Sequence, residues 1–283
     1  MSNITNKTDS AIKLLRTFAD TSTGPIELDY SGGKDSDVIL NLARMAGIKF
    51  DAIYKNTTID PPGTISHVLS QGDVRIVNPK YTFLQIVERN GFPTRRARFC
   101  CSRLKEYKIH DFAIQGVRRC ESVKRMANYS PDDPIICRTY GSKKNHVNIA
   151  LPILNWTNDD VAEFVTRNNI HCHSQYYDAD GQFCANRRLG CMGCPLQSDN
   201  GKSDFKLYPM LLRQVAKAGW KWWNNNPQAK SHVKFQNPYE LLAHNLFYNS
   251  YESWLTATVT LTGRTDWKNT LEMYFDVNLD FKL

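Results

Sequence analysis

The string Ser31-Gly32-Gly33-Lys34-Asp35-Ser36 constrains this chain more than any other feature. It follows a short β-prone run at 25–30 (PIELDY) and opens a helical pattern at 35–47 (DSDVILNLARMAG). Two glycines let the backbone turn tightly and bring its amides close to an anion with no Cβ in the way. A helix starting at such a turn offers unpaired N–H groups and the positive end of its dipole. Lys34 adds a charge, and Ser31 and Ser36 add hydroxyl donors. The spacing is not that of a Walker A loop, which needs GxxxxGK followed by Ser or Thr.

The flanking segments repeat the strand-helix unit. Helices are expected at 11–20, 64–71, 81–91, 102–112 and 158–169, and strands at 49–56, 73–79, 112–119 and 146–154. Strands alternating with helices argue for βαβ units and a parallel sheet, an α/β fold. Residues 205–283 are helix-prone and begin rich in aromatics (Tyr208, Trp220, Trp222, Trp223), while 259–269 (VTLTGRTDWKN) and the polar tail fit no pattern. The expected division is a nucleotide-binding domain at 1–200 and a helical extension at 201–283. No apolar run approaches the roughly 18 residues of a membrane helix. The polar start MSNITNKTDS lacks the order of a secretory signal, so a cytoplasmic protein is expected.

The chain carries 36 Lys and Arg against 28 Asp and Glu, a formal charge of +8. Ten of the basic residues lie between Thr94 and Met126: Arg95, Arg96, Arg98, Arg103, Lys105, Lys108, Arg118, Arg119, Lys124 and Arg125. Only Glu106, Asp111 and Glu121 oppose them, leaving +7 in this segment. Such a cluster attracts a polyanion: nucleotide phosphates, sulfate or nucleic acid.

Eight cysteines in a chain expected to be reduced suggest metal binding or chemistry. Cys100 and Cys101 are adjacent, and Cys191 and Cys194 form a CxxC pair. Four thiolates suit a tetrahedral zinc or an iron–sulfur cluster. Tandem cysteines are awkward for one zinc ion, whose paired ligands normally sit two to four residues apart. Cys120, Cys137, Cys172 and Cys184 follow no spacing, and His171 and His173 read as loop residues.

The SGGKDS string resembles the PP-loop of the adenine nucleotide alpha-hydrolase-like superfamily. The CC and CxxC pairs resemble the cluster motif of the adenylylsulfate reductase branch of the phosphoadenosine phosphosulfate (PAPS) reductase family. The segments NTTIDPPGT at 56–64, GVRRCESVKR at 116–125, LPILNWTNDDV at 151–161 and RRLGCMGCPL at 187–196 occur in family order. The resemblance covers roughly residues 25–210. It implies a Rossmann-like parallel core and a nucleotide site built from Ser31, Gly32, Gly33, Lys34, Asp35, Ser36, Asn56, Thr57, Thr58, Arg118, Glu121, Ser122 and Arg125. Lys34, Asp35 and Arg118 are its expected catalytic residues. It also implies a 4Fe–4S cluster, with zinc as the alternative, on Cys100, Cys101, Cys191 and Cys194. The ligand is ATP or an adenylyl sulfate, with Mg2+ expected beside ATP and Asp35 as its candidate ligand.

Reductases of the family attack sulfur with a cysteine in a C-terminal motif, and no cysteine follows Cys194 in this chain. A second group of such enzymes cleaves ATP to AMP and pyrophosphate and activates DNA or tRNA for sulfur insertion. The residues at 56–64 fit this group. ATP-dependent activation for sulfur transfer is therefore the leading expectation, with a sulfur- or electron-donor protein as partner. Reduction of adenylyl or phosphoadenylyl sulfate to sulfite is the second, and a non-catalytic nucleotide- or nucleic-acid-binding module the third.

Overall fold

In the computed structural model, the PIELDY run becomes strand β1 (Ile26–Tyr30), with Ile26, Leu28 and Tyr30 buried on one face. The residues described are 3–140, 146–261 and 263–281. Joining β1 are β2 (Asp51–Lys55), β3 (Val74–Val77), β4 (Phe112–Ile114), β5 (Ile135–Thr139) and β6 (His146–Ala150), in the order β3-β2-β1-β4-β6-β5. All neighbours run parallel except β5, which is antiparallel to β6. Leu28 lies opposite Ala52 on one side and Ile114 on the other. The chain therefore leaves β1 toward β2 while β4 flanks it on the far side. Loops diverge at such a reversal and open a crevice at the strand ends, the usual ligand position in an open α/β sheet.

Helices α1 (Asn3–Thr21), α2 (Lys34–Ala46) and α3 (Thr64–Ser70) pack with the sheet and the helix Asn158–Arg167. Leu15, Val38, Ile39, Leu42, Val161 and Phe164 fill the core between them. Gly47 ends α2 in the left-handed conformation, as its sequence position suggests.

These elements form one of two compact units, comprising Met1–Asn56, Asp60–Asn78 and Lys105–Gly190. The other contains Thr57–Ile59, Pro79–Leu104 and Cys191–Leu283. It is largely helical, with helices Phe83–Asn90, Phe99–Leu104, Lys202–Leu207, Pro209–Asn225, Pro238–Phe247, Tyr251–Thr258 and Trp267–Phe275. Its core is aromatic: Trp254, Phe275 and Phe205 are buried with Leu212 and Leu271. The unassigned stretch at 259–269 holds a small hairpin of β7 (Val259–Thr260) and β8 (Gly263–Arg264), followed by the start of the last helix. Residue 262 and the tail at 282–283 lie outside the described residues.

Two expectations are corrected. The helix expected at 102–112 is confined to Phe99–Leu104, and the strand expected at 112–119 to Phe112–Ile114. The amides of Ile109 and His110 donate to the Glu27 carboxylate at 3.3 and 3.4 Å, and Tyr107 O accepts from Lys55 Nζ at 2.9 Å. Side chains of β1 and β2 thus take the backbone groups that a longer helix needs. The sequence reading also lacks β5, whose pairing with β6 no local pattern announces.

Candidate functional site

The crevice begins where β1 ends. Gly32 has φ +75°, and a Cβ there would lie 3.2 Å from Thr64 Cγ2, so conformation and space both demand glycine. Gly33 is the N-cap of α2 and supplies no side-chain acceptor to the helix amides. The serines shape the loop from within. Ser36 Oγ donates to Gly33 O at 2.6 Å, and Ser31 Oγ donates to Ser36 Oγ at 3.3 Å. Gly116, just past β4, approaches the loop closely: a Cβ there would lie 2.9 Å from Asp35 O.

Lys34 is only 2% exposed. Its Nζ lies 3.2 Å from Asp35 Oδ2 and 5.2 Å from the centre of the Tyr176 ring. Burial lowers its pKa, and the charges of Arg118 and Arg188 add to the effect against the opposing pull of Asp35. Asp35 Oδ1 lies 2.7 Å from Arg118 Nε. Arg118 is 1% exposed, and its Nη1 donates to Asn158 Oδ1 at 3.0 Å and to Cys120 Sγ at 3.3 Å. Asp35 thus has a cation on each oxygen, an arrangement that orients Arg118 and Lys34 rather than leaving a carboxylate open for Mg2+.

Arg118 leads into a single turn at Arg119–Glu121 and the helix Val123–Asn128. Ser122 caps that helix, accepting from Arg125 N–H at 3.2 Å. Arg125 pairs with Glu121, and Arg188 Nη2 donates to Glu121 O at 2.8 Å. Burial lowers the Arg125 pKa, opposed by the charge of Tyr129. The outcome is a cavity of about 250 Å³ lined in part by Asp29, Ser31, Gly33, Lys34, Asp35, Ser36, Glu121, Arg125, Tyr176 and Arg188.

A buried network lies on the other face of α2. Asp37, fully buried, accepts from Tyr30 Oη and sits 3.0 and 3.2 Å from His67 Nε2. Burial first, and then the charge of Asp37, push the Tyr30 phenol and the Cys172 thiol well above their usual ranges. His173 packs edge-on to His67, with Nε2 3.2 Å from Pro62 O, and Gln175 N–H donates to its Nδ1 at 3.2 Å. His173 is therefore a satisfied structural residue, as its loop position suggests.

The four paired cysteines lie in the second unit. Cys100 and Cys101 sit on the helix Phe99–Leu104. Hydrogen bonding with Cys101, then burial, raise the Cys100 pKa, and the charge of Cys191 contributes as well. Cys191 Sγ lies 3.7 Å from Thr57 Oγ1, and Met192 N–H donates to Ile59 O at 2.8 Å. Three of the four sulfurs thus belong to one neighbourhood, with Cys194 one turn further on. Among the described residues, however, no group of three or more His, Cys, Asp or Glu side chains takes up metal-holding geometry.

The sequence profile of the phosphoadenosine phosphosulfate reductase domain matches residues 25–197. The chain belongs to this family. Over 253 residues it is 28% identical to the uncharacterized protein MJ0973 of Methanocaldococcus jannaschii, covering 79% of this chain and 58% of that protein. The chain thus spans a little over half the length of that relative. The PAPS reductase of Candida auris, in a phosphate complex, superposes with a TM-score of 0.45 at 15% identity, over 68% of this chain and 96% of that one. The U34-tRNA thiolase NcsA of Methanococcus maripaludis, solved with its 4Fe–4S cluster, gives 0.36 at 15% identity, over 78% and 82%.

Of the residues expected at the nucleotide site of this PAPS reductase domain, Ser31, Gly33, Lys34, Asp35, Ser36, Glu121 and Arg125 line one cavity. Gly32 shapes the loop beside them, Arg118 joins through Asp35, and Ser122 caps the helix that carries Arg125. The segment at 56–58 is divided. Asn56 extends β2 and bonds Asn78 Oδ1 at 2.9 Å, while Thr58, at φ +62°, accepts from Phe83 N–H at 2.8 Å within the second unit. Sequence reasoning misses Asp29, Tyr176 and Arg188. Asp29 carries a signal, since strand alternation turns it to the same side of the chain as Ser31, just past the end of β1. Tyr176 carries none.

Proposed function

We propose that the chain binds ATP at the Ser31–Ser36 loop and cleaves it to AMP and pyrophosphate. An oxygen of an acceptor, DNA or tRNA, attacks the α-phosphorus and pyrophosphate leaves. Sulfide-level sulfur from a donor protein then forms a bond to the activated centre, and AMP departs with the oxygen. Lys34 binds the phosphates. Asp35, held in turn by Arg118, positions it.

The observation that carries the reading is the charge pattern of the cavity. Lys34, Arg125 and Arg188 alternate with Asp29, Asp35 and Glu121, so cations and carboxylates are equal in number around it. A site for a bare sulfate or phosphosulfate gains from a surplus of cations. A near-neutral site instead suits a polyphosphate that arrives with Mg2+, which usually keeps several waters and is held largely by the phosphates. Cys100, Cys101, Cys191 and Cys194 would hold a 4Fe–4S cluster, whose chemistry would be sulfur binding.

The test follows AMP and pyrophosphate released from ATP, with and without DNA or tRNA. Stimulated release that Lys34→Ala abolishes supports the reading. The family match itself favours a second reading, reduction of adenylyl or phosphoadenylyl sulfate. Sulfite formed from either, with a thiol reductant and no pyrophosphate from ATP, would replace the first. For the cluster, an anaerobic preparation should be brown and contain iron and sulfide. A colourless protein with stoichiometric zinc refutes it.

A further inference from the structure

The excess charge of the chain divides unevenly. The unit with the phosphate loop holds 20 Lys and Arg against 19 Asp and Glu, while the other holds 16 against 9, a net of +7. The basic segment at 94–126 is cut by this division: Arg95 to Arg103 fall in the second unit, and Lys105 to Arg125 in the first. In the first unit the positive charges are almost fully opposed. The surplus lies with the cysteines.

Within the second unit, the stretch Pro79–Leu104 has six Lys and Arg against one acid, Glu88. That acid is taken by Lys221 at 2.6 Å. Two exposed arginines nearby are oriented by neutral acceptors. Arg95 donates from Nε to Asn200 Oδ1 at 2.9 Å and from Nη2 to Gln197 O at 2.6 Å. Arg103 donates from Nη1 to Asn90 Oδ1 at 2.8 Å. Arg96 is exposed between them in sequence. Among the described residues, none of the three has a carboxylate partner.

An arginine paired with a carboxylate presents little net field. One held by amide oxygens is already ordered, keeps its full charge and retains spare N–H donors for a second acceptor. Phosphate oxygens match that planar fork bidentately. A 4Fe–4S cluster on four thiolates carries a small negative charge, which accounts for only part of a surplus of seven.

We propose that Arg95, Arg96 and Arg103 form a docking surface for the phosphate backbone of a nucleic acid, beside the cysteine pair Cys100 and Cys101. The proposal deepens the sulfur-transfer reading, because it gives that acceptor a place on the chain. The surface itself stands apart from catalysis and is tested by binding alone.

The experiment titrates the full chain, without ATP, into a fluorescent single-stranded DNA oligonucleotide and, in parallel, into unfractionated tRNA, across a range of salt. The comparison is with the triple variant Arg95→Gln, Arg96→Gln, Arg103→Gln, checked for fold by circular dichroism. Removing one arginine–phosphate pair from a single-stranded complex flattens the plot of log affinity against log salt by about 0.7. Removing three should flatten it by about 2 and weaken binding about a hundredfold at ~0.1 M salt. Which probe responds identifies the nucleic acid. An unchanged slope for both probes overturns the proposal. So does polyglutamate competing as well as the oligonucleotide, which would assign the surface to an acidic protein. Retained binding with loss of bound iron also overturns it, because the arginines would then serve only the cluster. If the wild type releases no pyrophosphate from ATP but the triple variant loses nucleic acid, the catalytic reading fails and the docking surface stands.

Discussion

Replacing Asp37 by alanine tests whether the Ser31–Ser36 loop rests on the network behind it. In the native chain this buried carboxylate accepts from Tyr30 Oη and lies 3.0 Å from His67 Nε2, which is itself 3.1 Å from Tyr30 Oη, and the Cys172 thiol lies within its field. The substitution takes the acceptor from the Cys172 thiol and leaves Tyr30 Oη and His67 Nε2 only each other, 3.1 Å apart, in a region closed to water. Each buried donor left unpaired costs about 1–3 kcal/mol, partly offset because a charge no longer has to be desolvated. A net loss of about 2 kcal/mol follows. At ~2–4 °C per kcal/mol for a chain of this size, Tm should fall by roughly 4–8 °C. Calorimetry or thermal circular dichroism reads the shift. Asp37→Asn should fall between, because its amide oxygen still accepts while its NH2 group faces two donors. A variant within about 0.5 kcal/mol of wild type, the range of ordinary surface substitutions, refutes the argument.

Three further outcomes are expected. Glu27 is buried against Lys55, with Nζ 2.6 Å away, and burial raises its pKa from 4.5 to about 7. The folded state then binds more protons than the unfolded one between those values, so stability falls as pH rises from 4.5 through about 7. Glu27→Gln should lose that slope in a series of thermal melts, and a parallel slope in both proteins would contradict the assignment. Tyr176→Leu removes the ring beside Lys34 and should raise KM for ATP about two- to fivefold, from ~0.5–1 kcal/mol of cation–π attraction, while Tyr176→Phe keeps it; equal effects of the two would assign the role to the hydroxyl. Gly32→Ala meets both a left-handed backbone and Thr64, so nucleotide binding by calorimetry should weaken at least tenfold, about 1.4 kcal/mol or more. Native affinity would show that the loop relaxes at little cost.

Much of the site was legible because its chemistry is local. The glycines and Lys34 act through a turn whose conformation neighbouring residues dictate, and the first strands and helices follow their own periodicity. The expected helix at 102–112 failed because Glu27, far away in sequence, captures its amides. Tyr176 escaped because nothing in its neighbours marks it, and Arg188, although within RRLGCMGCPL, because that segment is read there for its cysteines. They reach the cavity only when the chain returns to the end of β1.

Taken alone, the sequence determined the family, the parallel α/β core and the strand-to-helix turn at Ser31–Ser36. These are short-range patterns, each readable within a few residues. Only the tertiary structure decided which charges share a site. It placed Asp35 between Lys34 and Arg118, set three carboxylates among the cations of the cavity, and divided the basic segment between two units. Electrostatic partners are chosen by distance in space, and a linear count of charge carries no such distance.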